Sequence, residues 1–241
     1  MTQNFGTEAD LYDSIRPTYP AEAVRYMLGA EPLTVADVGA GTGKLTAGLL
    51  AEGHTVTAVE PDGRMLAKLR ENHPGARGEE APAEDLPFAD ASLDAVTAGQ
   101  AFHWFDKEKA LTEFRRVLKP GGVFAPVWNV RDEEYEWVAA MSEIIGWSSA
   151  EYVAPLATAG DYFAPQFPDQ EYAVFRFALP VTRRGLVALV RSRSYYIDGT
   201  PERRAELDEG MERLLDTHPD LKGRERIDLP YKAYAFRLTA G

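Results

Sequence analysis

A glycine-rich segment and two acidic residues have the types and spacing to hold a small ligand. Asp37 precedes glycines 39, 41 and 43, and Glu60 follows about 20 residues after the first glycine. Glycines let the backbone turn sharply and approach a ligand closely. The two oxygens of Glu60 can accept from both hydroxyls of a ribose, and Asp37 offers a carboxylate to an ammonium group. The pattern predicts a ligand that carries both groups.

Three other interpretations of the glycine segment compete with this one. A phosphate-binding loop needs GxxxxGK[ST], but Val38 stands at its first glycine and Leu45 at its hydroxyl position. The dinucleotide fingerprint GxGxxG needs glycine where Lys44 stands. A tight turn without a ligand explains a lone glycine loop, but it does not explain Asp37 and Glu60 beside it.

The first half of the chain predicts the elements that position these residues. Short apolar runs predict strands at 33–38, 55–59, 93–98 and 123–128, with a weak strand near 76–80. Helices are expected after Gly43, Asp62 and Asp106, the last one stopped by residues 119–122. Alternation of strands and helices indicates a parallel sheet covered on both faces.

The second half of the chain has a different pattern of apolar residues. A helix carrying Trp137 and Met141, followed by a looser aromatic stretch, predicts an inserted cap. Strands are then expected at 172–179 and 227–238, with helices at 184–195 and 201–215 between them. We expect one domain, 1–241, divided into an N-terminal lid (1–30), a core (31–130), the cap (131–170) and the C-terminal strands and helices (171–241).

Composition narrows the class of protein. The chain has 241 residues, 45% of them hydrophobic, and a formal net charge of −12, which disfavours nucleic acid and anionic membranes as partners. It contains no cysteine, and its four histidines lack metal-site spacing, so no metal is expected. We found no signal-peptide pattern and no apolar stretch of membrane-spanning length. A cytoplasmic location is therefore expected, and the oligomeric state stays open.

Several segments together resemble class I S-adenosylmethionine (SAM)-dependent methyltransferases, in particular the small-molecule branch that includes trans-aconitate methyltransferases. These segments, which span nearly the whole chain, are residues 12–20, 35–46, 59–61, 83–88 (AEDLPF), 100–105 (QAFHWF) and 118–122 (LKPGG). The resemblance implies a Rossmann-like α/β fold: a seven-stranded, mostly parallel sheet with an antiparallel last strand, sandwiched by helices, with an inserted cap after the fifth strand.

The resemblance also implies SAM as the cofactor and S-adenosylhomocysteine as its product. The residues that it assigns to cofactor binding are Tyr12, Arg16, Tyr19, Asp37, Gly39, Ala40, Gly41, Gly43, Glu60, Pro61, Met65, Ala83, Glu84 and Gln100. The first three belong to the N-terminal lid. One departure from the family is Pro82, where Asp, Ser or Thr is common, so a side-chain hydrogen bond to adenine is not available there.

His103 is the best candidate for a general base, because it follows the expected end of a strand, where ligands bind in open α/β sheets. A packing role for it stays open, and a carboxylate acceptor would need no base. Trp104, Trp128 and Arg191 are candidates for contact with the acceptor, and Asn129, which ends the fifth strand beside Trp128, could line the same pocket. We expect methyl transfer to a small molecule, with a carboxylate or hydroxyl oxygen favoured. The alternative is a SAM-binding protein of the same fold that acts as a cyclase or regulator.

Overall fold

A seven-stranded sheet is the central element of the computed structural model, which describes residues 16–240. Its strands are β1 (Thr34–Val38), β2 (Thr55–Val59), β3 (Arg77–Glu79), β4 (Leu93–Gly99), β5 (Leu118–Arg131), β6 (Gln170–Thr182) and β7 (Arg226–Thr239). Their order in the sheet is β3-β2-β1-β4-β5-β7-β6. The pairs β1–β2, β1–β4, β2–β3 and β4–β5 are parallel.

The last strand runs against the others, as expected from the sequence. The N–H of Gly121 donates to the carbonyl of Ala240, and the N–H of Ala240 donates to the carbonyl of Gly122. Two residues of one strand opposite one residue of its neighbour form an antiparallel bulge. Because β1 connects to β2 on one side and pairs with β4 on the other, the strand order reverses between β1 and β4. Ligands of open α/β sheets bind at the carboxyl ends of strands at such a point.

Helices flank the sheet. They are α1 (Ala21–Leu28), α2 (Lys44–Ala51), α3 (Gly63–Asn72), α4 (Lys107–Val117), α5 (Glu136–Ile145), α6 (Ser149–Ala157), α7 (Arg183–Arg191), α8 (Ser194–Ile197) and α9 (Pro201–Thr217), with a 3-10 turn at Phe102–Trp104. Asp62 and Asp106 cap α3 and α4 as expected, because the Asp62 carboxylate accepts from two backbone N–H groups of the first turn and the Asp106 carboxylate from one. No helix within residues 16–240 is long and apolar enough to cross a bilayer.

The described chain divides into two compact units with separate cores. The larger unit comprises 18–130, 149–175 and 232–240, and the smaller comprises 16–17, 131–148 and 176–231. Aromatic rings fill much of the larger core, among them Phe102, Phe114, Phe124, Trp128 and Phe163. The residues expected as a cap, 131–170, are divided between the units: 131–148 lie in the smaller and 149–170 in the larger.

Three elements differ clearly from what the sequence predicts. Residues 119–122 were expected to stop α4, but β5 already begins at Leu118 and runs through both glycines. Helix α6 lies in a stretch expected to be irregular. The single helix expected at 184–195 is two helices, α7 and α8. The weak strand near 76–80 is confirmed as β3.

Candidate functional site

The glycine loop joins β1 to α2 at the reversal of strand order. Glycines 39, 41 and 43 all have positive φ, at 67°, 56° and 95°. The N–H groups of Gly39 and Ala40 donate to the carbonyl of Val59, at 2.8 and 3.1 Å, so the loop is fixed to the end of β2. A Cβ at Gly41 would meet no atom of residues 16–240 within 4 Å, so the described part of the chain leaves the space beside this part of the loop open. An open, amide-rich loop of this kind fits the SAM assignment.

Gly39 is a position where a side chain is poorly tolerated. A Cβ there would lie 2.6 Å from Cβ of Ala101 and 3.0 Å from Cζ of Phe105, and its φ is left-handed. We expect Gly39→Ala to lower the free energy of unfolding by about 2 kcal/mol in urea denaturation, through backbone strain and overpacking.

Gly48, in the middle of α2, is the matched control for Gly39. A Cβ at Gly48 would lie 3.5 Å from Cγ2 of Val24, an ordinary contact, on helical backbone. Gly48→Ala should leave the protein as stable or raise its stability by about 0.5 kcal/mol. Equal effects of the two substitutions would contradict this description of the loop.

Glu60 binds two backbone amides at the end of β2. Its Oε2 accepts from the N–H of Gly41 at 2.9 Å, and its Oε1 accepts from the N–H of Asp62 at 3.0 Å. The residue is 7% exposed. A carboxylate that accepts two hydrogen bonds from backbone amides still has free lone pairs, so Glu60 can also accept from ligand hydroxyls. The observed geometry fits the role that the sequence predicts for it.

Asp37 is fully buried at the end of β1. Its oxygens accept from the hydroxyl of Thr46 at 2.6 Å and from that of Thr97 at 3.1 Å, so it connects β1 to α2 and β4. Burial raises the pKa of Asp37 to about 6, although the two threonine hydrogen bonds oppose this rise. Contact with a ligand ammonium group stays a prediction, and what the structure shows is this internal network.

The residues predicted around adenine lie on two segments. Met65, 44% exposed, is in the first turn of α3, and Pro61 is exposed just before it. Ala83 is buried. The carboxylate of Glu84 accepts from the N–H of Asp106 at 2.7 Å, so it fixes the start of α4. Adenine contact by these four residues stays a prediction.

Gln100 has a strained backbone that its own side chain stabilises. Its φ is 55°, unusual for a residue with a side chain. Its amide exchanges two hydrogen bonds of 2.9 Å with the backbone of Asn129, so it extends the β4–β5 pairing. Nδ2 of Asn129 donates to the carbonyl of Thr18 at 3.1 Å, whereas its Oδ1 is buried and has no hydrogen-bond partner among residues 16–240. Asn129, which the sequence places beside Trp128 as a possible pocket residue, is therefore a further polar residue at this edge of the sheet, and its contact with the acceptor stays a prediction.

The 3-10 turn after Gln100 presents His103 and Trp104. Trp104 is 75% exposed, and the ring centroids of the two residues are 5.0 Å apart. His103 is half-buried, and burial lowers its pKa. Nδ1 of His103 accepts a hydrogen bond of 3.1 Å from the indole N–H of Trp128.

Trp128, which the sequence predicts to contact the acceptor, is buried in the structure. Its side chain is fully buried and packs against Phe102 and Phe236, with ring centroids 6.5 and 5.6 Å away. A ring without exposed surface cannot line a pocket in this structure. Its only polar atom is used to hold His103.

The predicted lid residues that the structure describes, and Arg191, are divided between the two units. Tyr12 lies outside the described residues. In the larger unit, burial and then the charge of Asp37 raise the pKa of Tyr19. In the smaller unit, Arg16 donates to the carbonyl of Ser192 at 3.4 Å, and Arg191 forms an ion pair of 2.9 Å with Asp208. Their roles toward ligands stay predictions.

Known proteins resemble this chain along nearly its full length. Residues 36–125 match a family model described as a methyltransferase domain. An uncharacterized methyltransferase of Mycobacterium tuberculosis is 38% identical over 240 residues, covering 99% of this chain and 96% of the relative. A malonyl-[acyl-carrier protein] O-methyltransferase of Pectobacterium atrosepticum is 35% identical over 129 residues, covering 52% of this chain and 51% of that protein.

The fold has a counterpart among solved structures. A proposed type II methyltransferase from Anaeromyxobacter dehalogenans superposes with a TM-score of 0.66 at 24% identity, covering 94% of this chain and 97% of the other. The fold, with its glycine loop at the end of β1, defines a Rossmann-like α/β protein. With the relatives above, it shows that the chain belongs to the SAM-dependent methyltransferases. SAM is its cofactor.

Proposed function

We propose that this enzyme transfers the methyl group of SAM to an oxygen atom of a small-molecule acceptor. The observation that carries the proposal is the position of His103, a half-buried imidazole on the turn that directly follows β4. Ligands of this fold bind at that edge of the sheet, so the imidazole is the polar side chain offered to an acceptor there. The malonyl O-methyltransferase, related over half of the chain, supports oxygen as the acceptor atom.

The glycine loop, Glu60 and Trp104 have distinct tasks in this proposal. The amides of the glycine loop and Glu60 hold SAM, which supplies a methyl group carried on a sulfonium. Trp104 lies beside His103, and its exposed ring can cover the acceptor or attract the sulfonium by a cation–π contact. Alignment of the acceptor oxygen is the main contribution of the protein, since orientation alone supplies roughly 7–11 kcal/mol in favourable cases.

Charge supports a small, soluble acceptor. A net charge of −12 opposes approach to nucleic acid, whose phosphates repel such a surface. The likeness of residues 100–105 to the trans-aconitate methyltransferase branch supports a small molecule as well. We place the activity in the cytoplasm, a setting that the cysteine-free composition suits.

The test is an acceptor screen with methyl-labelled SAM. Small carboxylates, alcohols, phenols and amines are incubated with the full chain, and labelled product and S-adenosylhomocysteine are measured together. We expect stoichiometric formation of both with at least one oxygen acceptor. Transfer to amines alone would contradict the proposal. So would tight S-adenosylhomocysteine binding without transfer to any acceptor, the result expected of a regulator.

A further inference from the structure

The hydrogen bond between Trp128 and His103 fixes where the imidazole carries its proton. An indole N–H can only donate, so Nδ1 of His103, 3.1 Å away, must accept. A nitrogen that accepts carries a lone pair and no hydrogen. Neutral imidazole has one N–H, and in His103 it is therefore on Nε2.

The surroundings of Trp128 make this arrangement hard to change. The indole is fully buried on β5, between the rings of Phe102 and Phe236. If His103 moved its proton to Nδ1, two N–H donors would face each other and the buried indole N–H would lose its partner. Protonation of both nitrogens has the same consequence, so the indole and burial both favour the neutral ring.

We propose that Trp128 is a positioning residue that holds His103 in its Nε2–H form, so that His103 donates a hydrogen bond to the methyl acceptor instead of removing a proton from it. This inference rests on the proposed function and changes the role expected for His103, a general base. A base would need a free lone pair. Its Nδ1 lone pair accepts from Trp128, and Nε2 carries the hydrogen.

A donor at Nε2 selects among the oxygen acceptors. An alcohol must lose a proton during methylation, and His103 has no lone pair to take it. A carboxylate has no proton to lose: one oxygen accepts from Nε2, and the other forms the new O–C bond while the S–C bond to the methyl group breaks. The products are a methyl ester and neutral S-adenosylhomocysteine, so charge balances without proton transfer. An oxygen that is already anionic therefore fits this site.

The first test needs no substrate. Long-range proton–nitrogen NMR of the uniformly ¹⁵N-labelled full chain reports which imidazole nitrogen carries hydrogen, and His103→Gln identifies the signal among the four histidines. We expect a neutral Nε2–H ring at pH 7 in the wild type. An Nδ1–H ring, or a charged ring, would overturn the inference.

Two tryptophan variants test the part played by the indole. Trp128→Phe keeps a buried ring and removes the N–H, so the His103 signals should move toward a mixture of both neutral forms. Trp137→Phe, a matched change at a buried tryptophan of the smaller unit, should leave them unchanged. Identical His103 signals in the wild type and Trp128→Phe would show that the indole does not hold the ring. If Trp128→Phe fails to fold, the wild-type spectrum still decides the proton position.

The second test compares His103→Gln with His103→Ala in methyl transfer. Glutamine offers an amide N–H near the position of Nε2 but has no basic nitrogen. With benzoate and octanoate as probes, we expect kcat/KM of His103→Ala to fall about 10- to 100-fold and that of His103→Gln to stay within about 5-fold of the wild type. Equal losses in both variants would overturn the donor role.

The same assay separates failure of the inference from failure of the proposed function. Transfer to benzyl alcohol and octanol but not to the two carboxylates would overturn the inference and leave O-methylation standing. Absence of transfer to all four probes, in a preparation that also fails to bind S-adenosylhomocysteine in calorimetry, would count against the proposed function. The NMR result on the proton position would be unaffected by that outcome.

Discussion

Glu60→Ala should weaken S-adenosylhomocysteine binding by at least about 100-fold. Its carboxylate already accepts from Gly41 and Asp62, and we assign its remaining lone pairs to the two ribose hydroxyls of the ligand. Hydrogen bonds to a charged acceptor contribute about 1.5–3 kcal/mol each, and two of them account for this loss. Calorimetric titration of the full chain measures it, with NADH as the control ligand.

The Glu60→Ala protein should still fold, although its affinity for S-adenosylhomocysteine is largely lost. Loss of an acceptor for two loop amides costs about 2 kcal/mol in the free energy of unfolding, which urea denaturation measures. Glu71→Ala is the matched control, because it removes the same group from an exposed position on α3. Near-normal affinity in Glu60→Ala, or an equal loss in Glu71→Ala, would refute the ribose assignment.

Asp37→Asn should change how stability depends on pH. Burial raises the pKa of Asp37 from 3.8 to about 6, so the folded state binds a proton more tightly than the unfolded state. The resulting stabilisation is fully present below about pH 4 and is lost as the pH rises through about 6. At pH 7 the folded wild type holds a buried charge at a cost on the order of 3 kcal/mol relative to the acidic limit.

Asparagine does not ionise, so the stability of the variant does not fall in this way as the pH rises. When the pH is raised from about 4 to 7, the free energy of unfolding of Asp37→Asn should increase relative to that of the wild type by about 3 kcal/mol. Urea denaturation at several pH values measures the difference. Asp161→Asn, at an exposed position, is the control and should track the wild type within about 0.5 kcal/mol. A constant difference between Asp37→Asn and the wild type would mean that Asp37 ionises normally.

Most strands and helices of the larger unit could be predicted because local patterns specify them. Strand β2 has the expected bounds, since an apolar run stands between two turns, and Asp62 precedes α3 as helix-capping residues do. Helix α6 escaped prediction because its buried residues are small alanines and it contains Pro155. The start of β5 was missed because Gly121 and Gly122 predict a turn, although here they exchange hydrogen bonds with Ala240, directly after β7.

The site could be predicted in its positions but not in its contacts. The sequence places Glu60 after β2 and His103 after β4, because a single pattern of strands fixes both. Contacts such as that between His103 and Trp128 join residues 25 positions apart and depend on how neighbouring strands pack. For this reason the sequence indicates a histidine near the acceptor but gives no sign of which nitrogen holds its proton.

The Gln100–Asn129–Thr18 connection has a consequence for which substitutions the chain tolerates. Gln100 pairs with the backbone of Asn129, and the Asn129 amide donates to a backbone carbonyl at residue 18. Every amino acid supplies that carbonyl, so this hydrogen bond places no constraint on the side chain at position 18. Aspartate at 129 would lack the donor, and glutamate at 100 would face the carbonyl of Asn129 with a second acceptor. We therefore expect this connection to tolerate substitutions at position 18 but not at positions 100 and 129, where it needs the amide side chains, although Gln100 and Asn129 bond to each other and to residue 18 at the same edge of the sheet.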